Sequence, residues 1–277
     1  MIRGAGLYVH LPYCRSRCGY CAFVVSTDES SRGEYLAAVT AEAAILAPEA
    51  SPERFDSLYL GGGTPSLVPD GELEVLLDEL RRRFSFTEDA EVTLEANPED
   101  VTGEKREAWQ RAGVNRVSLG AQSFDDGELA AVGRRHDSTG ARRAIDALAG
   151  SELSLSADLI LGLPGQTSAS FRRNVEAIGA AGFGHLSIYL LETDKSRSLE
   201  EDRRAHPERY LSDEEQADAW IEAGEALAAR GFRHYEISNW ARPGREARHN
   251  VKYWTRTPTL GLGISAHELW ADRRRAN

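Results

Sequence analysis

The chain has 277 residues, of which 41% are hydrophobic and 28% are charged, and this composition excludes a disordered or low-complexity protein. Its formal net charge of -11 argues against a general binder of nucleic acid or of anionic membranes, because no basic field surrounds the molecule. No apolar stretch approaches the roughly 20 residues of a membrane span, and residues 1–7 lack the hydrophobic region of a signal peptide, so we expect a cytoplasmic protein.

Short apolar runs alternate with longer amphipathic segments over most of the chain. The runs that predict strands are residues 7–11, 55–60, 91–96, 116–121, 153–161 and 186–191. The segments that predict helices are residues 33–46, 71–84, 103–112, 139–148 and 168–180. This alternation predicts an α/β fold with a parallel sheet and right-handed crossovers. Six units indicate an open or partial barrel rather than a complete eight-fold one.

The pattern changes after Leu191. The segments that follow are a charged connection over 194–209, a helix over 213–230, a strand-like run over 233–237 and an irregular loop over 240–254. We therefore predict two parts, a barrel core over residues 1–192 and an extension of helix, strand and loop over residues 193–277.

Polar and glycine-rich segments end the predicted strands. In chain order they read HLPYC, GGGTPS, EANPED, GAQSF, DLILGLPGQT and YLLETD. Because the carboxyl ends of the strands form the active face of parallel α/β folds, we expect all six to converge on one site. Glycine, proline, asparagine and aspartate also simply end strands, which would explain some of these segments but not the cysteines.

Three cysteines, Cys14, Cys18 and Cys21, lie within eight residues just after the first predicted strand, and they are the only cysteines in the chain. An odd number so closely spaced excludes a disulfide framework and favours metal ligation. A cubane [4Fe-4S] cluster normally takes four thiolates, so three would leave one iron open to a small molecule. The alternative is a zinc site of three cysteines and one histidine, with His10 or a more distant histidine as the fourth ligand.

The sequence YVHLPYCRSRCGYCAF, together with GGGTPS after the second strand, resembles the radical S-adenosylmethionine (SAM) superfamily. The signature of that family is this cysteine spacing with an aromatic residue before the last cysteine, here Tyr20. The resemblance continues through EANP, RVSLGAQSF, RRH, DLILGLPGQT and HLSIYLLE, which are similar to the oxygen-independent coproporphyrinogen III oxidase-like group. It implies a partial (β/α)6 barrel as the fold.

The resemblance also implies the cofactors and the residues that bind them. SAM would bind the open iron, and one electron from the reduced cluster would break a carbon–sulfur bond of SAM to give a 5'-deoxyadenosyl radical. Tyr8 would lie beside the cluster, and the backbone amides of the second motif would hold the methionine end of SAM. The residues that match the SAM-binding positions of the family are Gly62, Gly63, Thr64, Glu95, Gln122, Arg134 and Asp158. Taken alone, Glu95 and Asp158 could equally form salt bridges or helix caps at the barrel rim.

Two features resemble the heme chaperone branch of this group rather than the oxidases. The oxidases add a fourth cysteine two residues beyond the third, where this chain has Phe23. The segment HNVKYW, residues 249–254, is similar to the His-Asn-x-x-Tyr-Trp motif of the chaperone branch. We expect His249 to be an exposed loop imidazole that ligates heme iron, with Tyr253 and Trp254 packing on the porphyrin. The alternative is that His249 fixes the loop by hydrogen bonds while the aromatic residues join the core.

The resemblance therefore implies a heme chaperone-like protein that binds a [4Fe-4S] cluster, SAM and heme and transfers heme to an apo-hemoprotein. Its implied partners are heme or another tetrapyrrole, the acceptor protein and an electron donor for the cluster. The alternative is an enzyme, either a coproporphyrinogen III oxidase that decarboxylates propionate side chains or a related radical methyltransferase. The family normally continues into a small C-terminal domain, so we expect this chain to be a truncated form.

Overall fold

The computed structural model describes residues 4–277. The expectation that residues 1–7 are not part of a signal peptide therefore falls partly outside the described residues, at residues 1–3. The strands are β1 (Ala5–Leu11), β2 (Arg54–Gly62), β3 (Ser85–Ala96), β4 (Arg116–Gln122), β5 (Ser154–Leu161), β6 (His185–Leu190), β7 (Arg233–His234), β8 (Asn239–Ala241), β9 (Thr259–Leu262), β10 (His267–Trp270) and β11 (Arg273–Ala276). The helices are α1 (Arg32–Ala50), α2 (Asp70–Arg83), α3 (Gly103–Arg111), α4 (Asp126–Ala131), α5 (Ser138–Leu148), α6 (Ser168–Ala180), α7 (Arg197–Ala205), α8 (Asp213–Ala228) and α9 (Arg248–Thr255).

The strands of residues 4–277 form one sheet in the order β11-β10-β9-β1-β2-β3-β4-β5-β6-β8-β7. Strands β1 to β6 are parallel and adjacent in chain order, as expected for successive βα units. At one edge β9 pairs with β1, and at the other β8 pairs with β6, so residues 193–277 extend the sheet on both sides. The sheet does not close on itself, which confirms the predicted partial barrel.

The two faces of the parallel strands differ in chemistry. Residues such as Leu7, Val9 and Leu11 alternate along β1 and belong to the buried apolar core. The residues on the opposite face are polar and form hydrogen bonds between neighbouring strands. For example, the Tyr59 hydroxyl on β2 donates to Glu95 on β3. Parallel sheets are usually apolar on both faces, so a polar inner face marks the interior of this partial barrel as the site.

Helix α9 packs against the starts of β1 and β2. Lys252 forms a fully buried ion pair with Asp56 and donates from Nζ to the carbonyl oxygen of Gly4 at 2.6 Å. A Cβ atom on Gly6 would lie 2.8 Å from the Lys252 side chain, so only glycine leaves room for this helix.

This packing corrects the prediction of an irregular loop over 240–254, because the last part of that segment is helical. The strand-like run over 233–237 is likewise wrong beyond His234, where β7 ends. The helix depends on contacts with distant strands, which local sequence patterns do not record, whereas β7 is a short strand that pairs with the nearby β8. No helix within residues 4–277 is long and apolar enough to cross a membrane.

Candidate functional site

The cysteine loop follows β1 and is fixed to two neighbouring elements by backbone hydrogen bonds. The amide of Gly63 donates to Leu11 at 2.8 Å, and the amide of Thr64 donates to Tyr13 at 2.8 Å. On the other side, the amide of Gly19 donates to the carbonyl oxygen of Val132, just after α4, at 2.9 Å. The loop therefore bridges the carboxyl ends of β1 and β2 and the end of α4.

The three thiols are half-buried and close enough to influence one another. Burial raises the pKa of the Cys14 thiol, a hydrogen bond from Thr64 opposes this shift, and the neighbouring Cys21 and Cys18 add to it. Burial likewise raises the pKa of the Cys21 thiol. Three mutually close thiols on one loop suit a cluster that takes one thiolate per iron.

The alternative zinc site is not supported by the position of His10. Its Nδ1 lies 3.2 Å from the Tyr8 hydroxyl, and its Nε2 lies 2.9 Å from the carbonyl oxygen of Val24. Among residues 4–277, no three His, Cys, Asp or Glu side chains group closely enough to hold a single metal ion. Both ring nitrogens of His10 have partners within the protein, so zinc ligation by His10 would require one of these contacts to break.

A chain of hydrogen bonds links two of the thiols. The Thr64 hydroxyl donates to Cys14 Sγ at 3.3 Å and accepts from Asn97 Nδ2 at 3.1 Å. Asn97 Oδ1 accepts from Arg134 at 2.7 Å, and the same guanidinium reaches Cys18 Sγ at 3.6 Å. The motif EANP marks this position, but sequence reasoning missed Asn97, whose role depends on contacts between three separate elements.

Arg134 also contacts Tyr20, the aromatic residue before the last cysteine, at 3.4 Å from its hydroxyl. Burial raises the pKa of Tyr20, and the Arg134 charge opposes this shift. Among the described residues, the Nε atom of Arg134 is buried without a hydrogen-bond partner. A guanidinium with an unused donor beside the thiols can hold the carboxylate of a bound molecule.

Two carboxylates lie on the inner face near the strand ends. Burial raises the pKa of Glu95 to about 7, and the negative charge of Asp158 adds to this shift. Hydrogen bonds to the Glu95 carboxylate, from the Tyr59 hydroxyl at 2.7 Å and from the amide of Gly62 at 3.1 Å, oppose the shift. Burial raises the pKa of Asp158 to about 6 against hydrogen bonds from Ser187 and Ser118. Both groups thus change protonation near neutral pH, which suits polar ligand binding. The contribution of Tyr59 was not predicted from the sequence.

The glycine segment after β2 is placed by close packing. Gly62 has a φ of 108°, and a Cβ atom there would lie 2.5 Å from the His10 ring. A Cβ atom on Gly63 would lie 2.6 Å from the backbone of Pro12. The amides of Gly62, Gly63 and Thr64 all donate within the protein in this structure. Contact between this segment and SAM stays a prediction.

Gln122 ends β4 in an unusual conformation. Its φ of 64° lies in the left-handed region, which is uncommon for residues other than glycine. Its side-chain Oε1 is buried and has no hydrogen-bond partner within residues 4–277. A strained residue with an unused buried acceptor is typical of a ligand site.

The structure contradicts the expectation that His249 is an exposed loop residue. His249 is buried on α9, where Nδ1 lies 2.9 Å from the Ser57 hydroxyl and Nε2 lies 2.9 Å from the Tyr253 hydroxyl. Burial, together with the Lys252 charge, lowers the pKa of His249 to about 3. Tyr253 is 48% exposed and Trp254 is 52% exposed, so the alternative that these aromatic residues join the core is wrong, and their packing on a porphyrin stays a prediction.

Comparisons with known proteins agree with this geometry. The family model of the radical SAM superfamily matches residues 8–178. The chain is 38% identical to the heme chaperone HemW of Mycobacterium tuberculosis, covering 95% of this chain and 68% of that protein. It is 33% identical to HemW of Escherichia coli, covering 94% of this chain and 69% of that protein. The chain thus spans about two thirds of the length of these relatives.

Among solved structures, the coproporphyrinogen III oxidase HemN of Escherichia coli, described as a radical SAM enzyme, has the same fold. It superposes with a TM-score of 0.86 at 25% identity, covering 100% of this chain and 67% of that chain. The superposition extends beyond residue 192, so the strands added at both edges of the sheet belong to the shared architecture.

We predict that Thr64→Val lowers the reduction potential of a [4Fe-4S] cluster reconstituted on the three cysteines, by on the order of 50 mV. A hydrogen bond to a ligand sulfur stabilises the more negative reduced state, and valine removes the donor. Thr64→Ser keeps the hydroxyl and should keep the potential, as should Thr139→Val at an exposed site on α5. Redox titration without SAM measures the effect, and an unchanged potential in Thr64→Val at equal iron content would contradict it.

Proposed function

Because the chain belongs to the radical SAM superfamily and fits its heme chaperone branch, we propose that it binds heme and delivers it to an apo-hemoprotein. The observation that carries the proposal is 38% identity over 95% of the chain to a protein named heme chaperone. The superfamily uses a [4Fe-4S] cluster and SAM, and the three-thiol loop of this chain fits such a cluster.

We assign the cluster to Cys14, Cys18 and Cys21, with Tyr8 and Tyr20 beside them. When bound, the cluster and SAM supply one-electron chemistry at a carbon–sulfur bond of SAM. The polar groups that would hold SAM have unused capacity in this structure, namely the buried Oε1 of Gln122 and Nε of Arg134. Arg134 suits a carboxylate, and Glu95 and Asp158 suit hydroxyl or ammonium donors.

A second candidate function is supported by the similarity to HemN, which covers 100% of this chain. That neighbour is an oxidase of coproporphyrinogen III, so tetrapyrrole decarboxylation is the enzymatic alternative. Two sequence features favour carriage of heme over this reaction. One is Phe23 in place of the fourth cysteine of the oxidases, and the other is the segment HNVKYW.

The structure adds a condition to heme ligation by His249. Its pKa of about 3 keeps the imidazole neutral at physiological pH, as a ligand to iron must be. However, Nε2 is already engaged by the Tyr253 hydroxyl. Heme ligation at this nitrogen therefore requires Tyr253 to move, after which the half-exposed rings of Tyr253 and Trp254 would be available to contact the porphyrin.

We predict that heme binds to the reconstituted protein and that His249→Ala alters its Soret band. Tyr253→Phe keeps the aromatic ring but removes the hydroxyl that competes for Nε2, so it should tighten heme binding by about tenfold, the worth of one hydrogen bond. His206→Ala, at an exposed site just after α7, is the matched control. If both His249→Ala and Tyr253→Phe leave heme binding unchanged, the ligand lies elsewhere, with His136, His234 and His267 as the next candidates.

An assay on the same reconstituted protein distinguishes heme transfer from decarboxylation of coproporphyrinogen III. Incubated with coproporphyrinogen III, SAM and a reductant, it should yield no protoporphyrinogen, whereas heme should pass to an added apo-hemoprotein. Catalytic formation of protoporphyrinogen would favour the oxidase reading instead.

We predict that SAM affinity rises several-fold between pH 6 and pH 7.5. The pKa of Glu95 is about 7, so the carboxyl group loses its proton over this interval and becomes a better acceptor for SAM donors. Glu95→Gln should weaken binding and remove the pH dependence, while Glu88→Gln, at an exposed position of the same strand, should keep both. Equilibrium binding at constant iron content measures this, and the same pH dependence in Glu95→Gln would assign it to another group.

A further inference from the structure

The segment that carries the cysteines differs in charge from the rest of the chain. Residues 1–27 contain three arginines and neither aspartate nor glutamate, in a chain whose formal net charge is -11. Two of these arginines, Arg15 and Arg17, lie between the first and second cysteines. The cysteine loop is therefore a locally basic segment of an acidic protein.

The same segment exposes apolar side chains. Phe23 is 67% exposed and Val24 is 44% exposed, and they are the second and third residues after the last cysteine. Arg15 and Arg17 are also exposed, and among residues 4–277 Arg17 forms no ion pair but donates to the carbonyl oxygen of Cys21 at 3.1 Å. We call Arg15, Arg17, Phe23 and Val24 the cysteine-loop patch.

The side chains of the patch are exposed, but hydrogen bonds fix the backbone that carries them. His10 Nε2 lies 2.9 Å from the carbonyl oxygen of Val24, and the amide of Ser26 donates to Pro12 at 2.8 Å. The backbone N–H of Phe23 also donates to Cys21. An aromatic ring and two arginines presented on fixed backbone are the residue types that enrich protein interfaces.

The position of the patch indicates what it contacts. If the cysteines hold the cluster, as the proposed function requires, a protein bound at Phe23 contacts a residue whose backbone N–H donates to the cluster ligand Cys21. The basic side chains favour a partner whose contact surface is acidic. At about 0.1 M salt the Debye length is ~10 Å, so the more distant negative charges of the chain are largely screened at the patch. Arg15 pairs with the buried carboxylate of Asp100 at 3.4 Å, so among the described residues Arg17 supplies the unpaired positive charge of the patch.

We propose that the cysteine-loop patch is the docking surface for an acidic one-electron carrier protein that reduces the cluster. One electron leaves the carrier and enters the cluster held by the three cysteines, with no proton or group transferred. This inference rests on the proposed function only through the presence of the cluster, and it does not depend on whether heme is carried.

The test compares the rate of cluster reduction by two reductants at 0.1 M salt, using the full chain with its cluster reconstituted. The first reductant is an acidic flavodoxin in its fully reduced state, which must dock. The second is a photoreduced deazaflavin, a small uncharged radical that needs no docking surface. Phe23→Glu places a negative charge in the patch, and Ile45→Glu makes the same change on α1, where Ile45 is 76% exposed.

We expect Phe23→Glu to slow reduction by the flavodoxin at least fivefold and to leave reduction by the deazaflavin unchanged. Phe23→Lys should keep or increase the flavodoxin rate, and Ile45→Glu should match the unmodified chain. Val24→Glu is the second variant if Phe23→Glu takes up less iron. An unchanged flavodoxin rate in Phe23→Glu and Val24→Glu, or equal slowing by Ile45→Glu, would overturn the proposal.

Heme measurements on the same variants separate this proposal from the proposed function. Slower reduction of Phe23→Glu in a protein that binds no heme would support the docking surface while removing the chaperone assignment. If Phe23→Glu instead impairs only the transfer of heme to an apo-hemoprotein, the patch contacts the acceptor and the proposed electron-carrier surface is wrong.

Discussion

The backbone contact between the cysteine loop and the start of the segment after β2 is the constraint on which the site depends. Leu11 and Tyr13 accept from the amides of Gly63 and Thr64, and this extends the pairing of β1 with β2 beyond the strands. Larger residues in place of Gly62 and Gly63 would collide with His10 and Pro12. The same contact brings the Thr64 hydroxyl to Cys14, so the position of the thiols and the hydrogen bonds to their sulfurs have one structural origin.

The polar inner face of the sheet is the second determinant of the site. Buried polar groups must be hydrogen-bonded, and most of those on this face bond to neighbours on adjacent strands. Arg116, for example, is buried between Glu91 and Ser156. Burial raises the pKa values of Glu95 and Asp158 toward neutrality, so the inner face does not hold two fully charged carboxylates at neutral pH. Gln122 and Arg134 are among the described residues with a buried polar atom that has no partner, and both lie near the end of β4, where a ligand would satisfy them.

The parts of the site that were predictable from the sequence depend on short spacings. The cysteines lie on one loop, and the glycines follow a strand, so their roles could be inferred from the chain order and from family motifs. The six parallel strands were predicted because each carries an apolar run, although β3 begins earlier than its run suggests. Asn97 was missed because its neighbours, Thr64 and Arg134, come from different βα units.

His249 shows why the remainder could not be predicted. The sequence HNVKYW has no apolar stripe at helical spacing, and a polar aromatic segment of this kind is typical of a loop. Its helical structure depends instead on the buried pairing of Lys252 with Asp56 and on the space beside Gly6, both contacts with strands nearly 200 residues or more away in the sequence. The burial of His249 follows from this packing, and so does the engagement of both its ring nitrogens.

Whether the three cysteines hold a cluster with an open iron is tested most directly by anaerobic reconstitution with iron and sulfide. Absorption and electron paramagnetic resonance spectra are then compared with and without SAM. The expected result is about four irons and four sulfides per chain, a broad absorption near ~400 nm, and a resonance spectrum of the reduced cluster that changes when SAM is added. Stoichiometric zinc without iron uptake would contradict the cluster, and a reduced-cluster spectrum indifferent to SAM would contradict the open iron.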